Sequence, residues 1–203
     1  MPTTLPAGSF PFEDRDAIDA FEERYWALCK PEEVAAETAI KGAAQKARHA
    51  GFLSRDVFLM IARWKSKRPT RHYVKNSEAD VREASRLAFL AGTEAEAIHA
   101  LTDLHGVGLR TATALLHWMR PEEFPILDFR VVGALGEPEP SSWEDVDYYS
   151  RIAVRVRDLA AKHAVSLRCL DRALWAWQKL ESAKSRRRAP CPPGASRSPA
   201  RGR

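Results

Sequence analysis

The chain has 203 residues and a mass of 22.8 kDa, enough for one domain or for two small lobes of one. Apolar residues make up 45% of it, enough for a sizeable core, and charged residues make up 29%. No apolar run approaches the roughly eighteen residues that a membrane span needs. Three scattered cysteines exclude a disulfide framework or a four-cysteine metal site within one chain. The first residues also lack the basic and apolar regions of a signal peptide. We therefore expect a cytoplasmic protein with neither cofactor nor metal site.

The formal net charge of +5 is concentrated near the C-terminus. Residues 184–203 carry seven basic residues and no acidic one, which leaves 25 basic and 27 acidic residues in the rest of the chain. The overall charge is therefore a weak argument for nucleic-acid binding, and its local distribution is a better one. The Pro-, Arg- and Ser-rich composition of 184–203 predicts a disordered tail, which either adds nonspecific attraction to phosphates or is only solvated.

Helical periodicity runs through residues 13–183 without sustained strand alternation, and residues 1–12 form an N-terminal extension. The start and stop signals predict seven to nine helices and an all-α fold. Five helix starts carry a capping residue: Ser54, Ser77, Thr93, Ser142 and Ser166. Nine acidic residues within 13–37 are typical of a solvated helix face.

Basic residues are concentrated in the stretch 41–75, which holds ten of them and one acidic residue. Within it, the segment 64–71 (WKSKRPTR) leaves a helix and enters a loop. Three basic residues of this segment could bind a phosphate backbone, and the neighbouring indole of Trp64 could stack on one base. The three residues are Lys65, Lys67 and Arg68. A solvated charged loop is the alternative interpretation.

Residues 94–119 form a helix, a tight turn and a second helix. The turn contains two glycines around one apolar residue: Gly106, Val107 and Gly108. Glycine permits a positive φ and a close backbone approach, and the apolar side chain can fill the space between the helices. Backbone N–H groups at the start of the second helix lack intrahelical partners and favour an anion, to which Arg110 and Thr111 add donors. The turn is a candidate phosphate clamp, and a hairpin whose glycines serve only packing is the alternative.

Asp128 follows Arg110 by eighteen residues and stands immediately before the sequence FRVVGAL. This is an N-cap position, and capping alone would account for an aspartate there. The functional alternative is a carboxylate held rigidly on a helix end, facing the hairpin. Other chemistries have less support, because no His-x₃-His spacing, Walker loop, Gly-x-Ser-x-Gly elbow or Rossmann fingerprint is present.

The segments LHGVGLRTATALL and FPILDFRVVGALG together resemble the helix-hairpin-helix DNA glycosylase superfamily, which includes endonuclease III and the adenine and alkyladenine glycosylases. That family has a Leu-Pro-Gly-Val-Gly hairpin and, at the same spacing, a catalytic aspartate. Gly106, Val107, Gly108 and Asp128 match these positions, and the close match covers residues 94–136. The resemblance implies a two-lobed helical monomer, associated with the nucleoid, that binds double-stranded DNA, flips a damaged or modified base and hydrolyses its N-glycosidic bond.

One departure from the family pattern concerns the reaction. Bifunctional members carry a lysine two residues after the second hairpin glycine, where this chain has Arg110, and arginine is a poor nucleophile. The resemblance therefore implies a monofunctional glycosylase, in a compact form without the iron–sulfur cluster of some members. Two alternatives stay open: a noncatalytic helix-hairpin-helix DNA-binding module and a helical protein–protein adaptor.

These motifs do not specify the base pocket. Five aromatic residues could stack on a base, although aromatic residues at helical spacing more often belong to the core: Tyr73, Trp118, Phe124, Trp143 and Tyr148. Asp171 could bind a base edge or pair with Arg168 or Arg172, and the ion pair is the favoured interpretation. It begins the sequence Asp-Arg-Ala-Leu-Trp, which together with Trp-Lys-Ser at 64–66 resembles a set of small bacterial proteins.

Overall fold

The computed structural model describes residues 9–188, and within them all regular secondary structure is helical. The helices are α1 (Arg15–Leu28), α2 (Pro31–Ala50), α3 (Arg55–Lys65), α4 (Thr70–Tyr73), α5 (Glu78–Leu90), α6 (Glu94–Thr102), α7 (Leu109–Met119), α8 (Phe129–Ala134), α9 (Val146–Lys162) and α10 (Leu167–Arg188). The all-α prediction is confirmed. The described residues form ten helices rather than seven to nine, because α4 and α8 have only 4 and 6 residues and are too short to show a period.

Side-chain caps begin most of the helices as predicted. Ser77 and Thr93 form full capping boxes at α5 and α6. Ser54 and Ser166 each accept a backbone N–H at the start of α3 and α10. The prediction for Ser142 is wrong, since α9 begins after Asp145, whose nearer and stronger carboxylate acceptor takes the N–H of Tyr148 at 2.9 Å.

The structure describes part of each predicted end segment. Helix α10 continues through Arg188, five residues into the predicted tail, because the sequence there consists of good helix formers. In the N-terminal extension, Phe12 is buried and its ring lies 5.3 Å from that of Phe21. Residues 1–8 and 189–203 lie outside the described residues.

The most extensive helix–helix contacts fall into two groups. Helices α2 to α7 contact one another around a core that includes Ile40, Phe58 and Leu115, and α10 contacts α1, α8 and α9. Buried ion pairs from α10 to Glu37 of α2 connect the groups. No described helix combines the length and the apolar character needed to cross a lipid bilayer.

Candidate functional site

A cleft of about 720 Å³ is lined by residues from both groups of helices. Seven of the nine predicted site residues line it: Lys65, Lys67, Gly106, Gly108, Arg110, Thr111 and Asp128. The two motifs Trp-Lys-Ser and Asp-Arg-Ala-Leu-Trp, which are far apart in the sequence, also meet here through Trp64, Asp171 and Trp175. The structure thus places the hairpin and the candidate carboxylate in a single cleft.

Asp128 is the N-cap of α8, as predicted. Its Oδ1 accepts the Arg130 N–H at 3.0 Å, and its Oδ2 accepts from Lys65 Nζ at 2.9 Å. Its side chain keeps 19% exposure, on the cleft. Burial acts to raise the pKa of Asp128, but the Lys65 ammonium and the Arg130 N–H outweigh it and hold the pKa below its ordinary value. The carboxyl group is therefore ionised at neutral pH.

Lys65 does not present its charge to the surface, contrary to the expectation for a phosphate-binding residue. Its side chain is 11% exposed, and Nζ donates to the Leu127 carbonyl oxygen and to Asp128, both at 2.9 Å. The carboxylate attracts the ammonium into the cleft, and the carbonyl oxygen accepts a hydrogen bond from a second N–H of the same ammonium. Lys67 and Arg68 are exposed as predicted, but Arg68 does not line the cleft.

The hairpin is formed by α6, α7 and the turn between them. Gly106 has a φ of +82°, and a Cβ there would lie 2.7 Å from the Cβ of His72, so both conformation and space require glycine. Val107 is buried, and its N–H donates to the Leu104 carbonyl oxygen at 3.1 Å. It fills the space between the helices as predicted, but it is not available as a DNA contact.

Glu144 occupies the predicted anion site. The Leu109 N–H, at the start of α7, donates to Glu144 Oε2 at 2.7 Å. A Cβ on Gly108 would lie 2.7 Å from Glu144 Oε1, so glycine here provides space for the carboxylate. An acidic side chain at the positive end of α7 indicates that this site attracts anions. Glu144 was not predicted as a site residue, because it lies in a run of mostly polar residues before α9 that carries no motif.

The two side chains predicted to assist the clamp behave differently. Arg110 is exposed, and its guanidinium lies 5.4 Å from the centre of the Trp143 ring. Thr111 is buried, with its hydroxyl 3.1 Å from the Tyr73 hydroxyl. Thr111 therefore anchors α7 to α4 and does not offer a free donor.

Asn76 fixes the turn and was also missed. Its Oδ1 accepts the His105 N–H at 2.8 Å, and its Nδ2 donates to the carbonyl oxygens of His105 at 3.1 Å and Tyr73 at 3.0 Å. One buried amide therefore fixes the hairpin to α4, at the end of the basic loop. A single Asn after a basic loop gives no sequence signal for such a long-range role.

Aromatic rings line the cleft, but they are mostly not those considered from the sequence. Four of the five candidates are buried and lie outside the cleft lining: Tyr73, Trp118, Phe124 and Tyr148. The cleft is lined instead by Tyr25, Trp64 and Trp175. Tyr25 and Trp175 pack edge to face with 5.4 Å between ring centres. These rings provide surfaces on which a planar base could stack.

A buried charge network lies beneath the rings. Arg168 donates to both carboxylate oxygens of Glu37, at 3.0 and 2.8 Å, and also binds Asp171. Arg172 binds Glu37 and, at 2.6 Å, Glu22. Burial acts to raise the pKa of Glu37, but the two guanidinium groups hold it below its ordinary value. Glu37 is only 3% exposed, so it is not part of the solvated acidic face predicted for 13–37.

One group of potential metal ligands is present in the described residues, with Asp19, Glu22 and Cys169 holding ligand atoms within 4.8 Å of one another. Burial raises the pKa of Cys169 to about 12, so its sulfur remains a thiol at neutral pH. Glu22 is already paired with Arg172. The residues present are therefore poorly suited to binding a metal ion.

Comparison of the chain with protein-family models, with curated proteins and with solved structures found no match in any of the three. The resemblance of residues 94–136 to helix-hairpin-helix glycosylases thus rests on the motifs themselves and stays a prediction.

Proposed function

We propose that this protein is a DNA glycosylase that hydrolyses the N-glycosidic bond of a damaged or modified base in double-stranded DNA. The observation that carries the proposal is that an ionised, partly buried Asp128 lines the same cleft as the glycine hairpin. Base excision requires a site that holds a phosphate, a carboxylate that stabilises charge on the sugar, and aromatic rings on which the flipped base stacks. The cleft contains candidates for all three. We further propose that it acts as a two-lobed monomer on DNA in the cytoplasm.

The cleft supplies each part of a hydrolytic reaction. A phosphate next to the flipped nucleotide displaces the Glu144 carboxylate and is held by backbone N–H groups at the start of α7, with Arg110. The Asp128 carboxylate lies at C1′ and stabilises the positive charge that builds on the sugar. The oxygen of a water molecule bonds to C1′ while the C1′–N bond breaks, and the base leaves with a proton. Lys65 binds Asp128 as an ammonium, whose nitrogen has no free electron pair for attack on the sugar.

The first test is base release with a matched pair of variants. Duplexes carrying alkylated, oxidised, deaminated or hypermodified bases are incubated with the protein, and free base and alkali-labile sites are measured. Asp128→Asn should lower release at least about 100-fold, because charge stabilisation is lost while the cap remains. Asp145→Asn alters the same type of capping carboxylate outside the cleft lining and should leave the rate unchanged. Release that survives Asp128→Asn would remove Asp128 from the mechanism.

The second test distinguishes hydrolysis by water from attack on the sugar by a lysine amine. A monofunctional enzyme forms no covalent adduct with DNA when borohydride is added during the reaction. An adduct that disappears in Lys65→Arg would identify Lys65 as a nucleophile and overturn the hydrolytic mechanism.

The second candidate function is a noncatalytic DNA-binding module. It is favoured by the pairing of both Asp128 oxygens, which leaves neither of them without a hydrogen-bond donor. Tight, salt-sensitive binding to duplexes without release of any base would support it. Absence of salt-sensitive binding would support the protein–protein adaptor instead.

A further inference from the structure

Asp171 lines the same cleft and belongs to a buried network that holds more carboxyl groups than arginines. Two arginines, Arg168 and Arg172, face three carboxylates, namely Glu22, Glu37 and Asp171. The charge of Lys65 also acts on Asp171, but Lys65 is paired with Asp128. Burial raises the pKa of Asp171 above its ordinary value, although Arg168 opposes this. A buried carboxylate in excess of its cations is costly unless something else binds it.

One oxygen of Asp171 is available for a ligand. Its side chain is 9% exposed, and within the described residues only Oδ2 is hydrogen-bonded, to Arg168. Arg168 is itself held by Glu37 and by the Tyr25 hydroxyl, at 3.3 Å, so Oδ2 has a fixed position. Asp171 therefore presents a rigid acceptor to the cleft.

The surroundings of Asp171 select a flat ligand. Tyr25, Trp64 and Trp175 line the cleft with it, and Asp128 is close enough for its charge to act on Asp171. A base stacked on these rings, with its sugar at Asp128, would direct its hydrogen-bonding edge to the cleft floor. A carboxylate oxygen there accepts N–H groups and repels carbonyl oxygens.

We propose that Asp171 determines base specificity by accepting a hydrogen bond from an exocyclic amino group, so that the cleft selects amino-bearing bases over their deaminated counterparts. This inference rests on the proposed glycosylase function. A deaminated base loses one charge-assisted hydrogen bond and gains a repulsion. We therefore expect an amino-bearing base to bind roughly 10- to 100-fold more tightly than its deaminated counterpart.

Binding to matched duplexes tests the inference. Each duplex carries one 2′-fluoroarabino nucleotide, so that the glycosidic bond stays intact, opposite an abasic analogue, so that extrusion breaks no base pair. The pairs adenine and hypoxanthine, and cytosine and uracil, each differ in an amino group against a carbonyl oxygen, and the ring nitrogen beside it carries a hydrogen only in the carbonyl member. The full-length protein should bind the amino member of each pair at least about tenfold more tightly. A ratio near one, or a preference for the carbonyl member, would overturn the inference.

Two variants distinguish recognition from structure. In Asp171→Asn the side-chain oxygen stays with Arg168 and the amide N–H₂ faces the cleft, so the preference should invert towards the carbonyl member. Glu22→Gln perturbs the same network at a residue that pairs with Arg172 and lies outside the cleft lining, so it should keep the preference while lowering the thermal midpoint. An unchanged ratio in a folded Asp171→Asn would contradict the proposal. The ratio of affinities for the amino and carbonyl duplexes, measured with the unmodified protein, can overturn the inference by itself. The test therefore does not depend on whether the variant folds.

The outcomes separate this inference from the proposed function. Asp128-dependent base release together with a ratio near one would leave the glycosylase proposal standing and remove Asp171 from recognition. Absence of binding to every duplex would overturn both.

Discussion

At the scale of single residues, the Lys65–Asp128 pair has the greatest consequence. Both side chains are mostly buried, and the ammonium holds the pKa of Asp128 down against the effect of burial. The pair therefore keeps the carboxyl group ionised and stabilises the fold above the ordinary pKa of an aspartate. This stability is lost as the pH falls through the depressed pKa of the folded state.

Replacing Lys65 by Met should leave a partly buried carboxylate without its cation. The pKa of Asp128 then rises, so the acid limb of the pH–rate profile for base release should move to higher pH. The free energy of unfolding should fall by about 3 kcal/mol, as for other buried pairs that lose one partner. Urea unfolding and a pH series of single-turnover rates measure the two effects.

Two further variants are informative here. Lys67→Met removes an exposed cation just after the end of α3 and should change stability by less than about 0.5 kcal/mol. The double variant Lys65→Met, Asp128→Asn should recover much of the lost stability, because the unpaired charge is gone. If the Lys65 single variant and the double variant have equal free energies of unfolding, the charge of Asp128 does not affect stability and the pair stabilises the fold only through packing.

At the scale of elements, the hairpin depends on Gly106. Gly106→Ala combines a positive φ with a Cβ 2.7 Å from the Cβ of His72, and should cost at least about 2 kcal/mol of stability. It should also weaken duplex binding, since the turn shifts. Gly42→Ala, in the middle of α2, is the control, because a Cβ there would meet no atom within 4 Å apart from the adjoining backbone of its own helix. This second change should stabilise the protein by about 0.5–1 kcal/mol. A folded Gly106→Ala protein of unchanged stability in urea would contradict the geometry of the turn.

The position of Glu144 at the N-terminus of α7 leads to a variant that should strengthen duplex binding, whereas Gly106→Ala should weaken it. A DNA phosphate at the N-terminus of α7 must displace the Glu144 carboxylate, which bonds to the Leu109 N–H at 2.7 Å. Glu144→Gln removes the repulsion and should increase duplex affinity about 3- to 10-fold at low salt. Glu139→Gln, at an exposed position in the same segment, should have little effect. Weaker binding by Glu144→Gln, measured by fluorescence anisotropy, would show that the carboxylate supports the clamp instead of occupying it.

The sequence predicted those parts of the fold and of the site that depend on local physics. Capping at Ser77 and Thr93, the hairpin at 94–119 and the N-cap role of Asp128 all follow from residues close together in the chain. Long-range partners could not be predicted. Glu144 and the pairing of Lys65 depend on which segments meet in space, and nothing in the local pattern distinguishes them from solvated charges.

At the scale of the whole molecule, buried ionisable groups make stability depend on pH. His117 is 1% exposed, and its Nδ1–H donates to the Phe124 carbonyl oxygen at 2.9 Å. Burial, with a contribution from Arg168, lowers the pKa of His117 from 6.5 to about 3. The unfolded chain therefore binds a proton that the folded chain excludes. Stability should fall as the pH decreases below 6.5, by up to about 1.4 kcal/mol per pH unit.

His117→Asn retains an N–H donor for the Phe124 carbonyl and removes the titrating group. Its free energy of unfolding should change less with pH between 6.5 and 5 than that of the unmodified protein, as measured by urea unfolding at several pH values. His99→Asn makes the same substitution at an exposed position and serves as the control. Equal slopes for His117→Asn and the unmodified protein would show that His117 is protonated in the folded state.

If the protein binds DNA as proposed, the hydrogen bonds of Asn76 have a consequence for the way in which the DNA is released. The three hydrogen bonds that fix the hairpin to α4 come from one uncharged, buried amide, while attraction to phosphates depends on exposed cations such as Arg110 and Lys67. Ionic strength screens the exposed cations and hardly affects the amide. Raising the salt concentration should therefore release the nucleic acid while the hairpin keeps its shape, so that rebinding requires no local refolding.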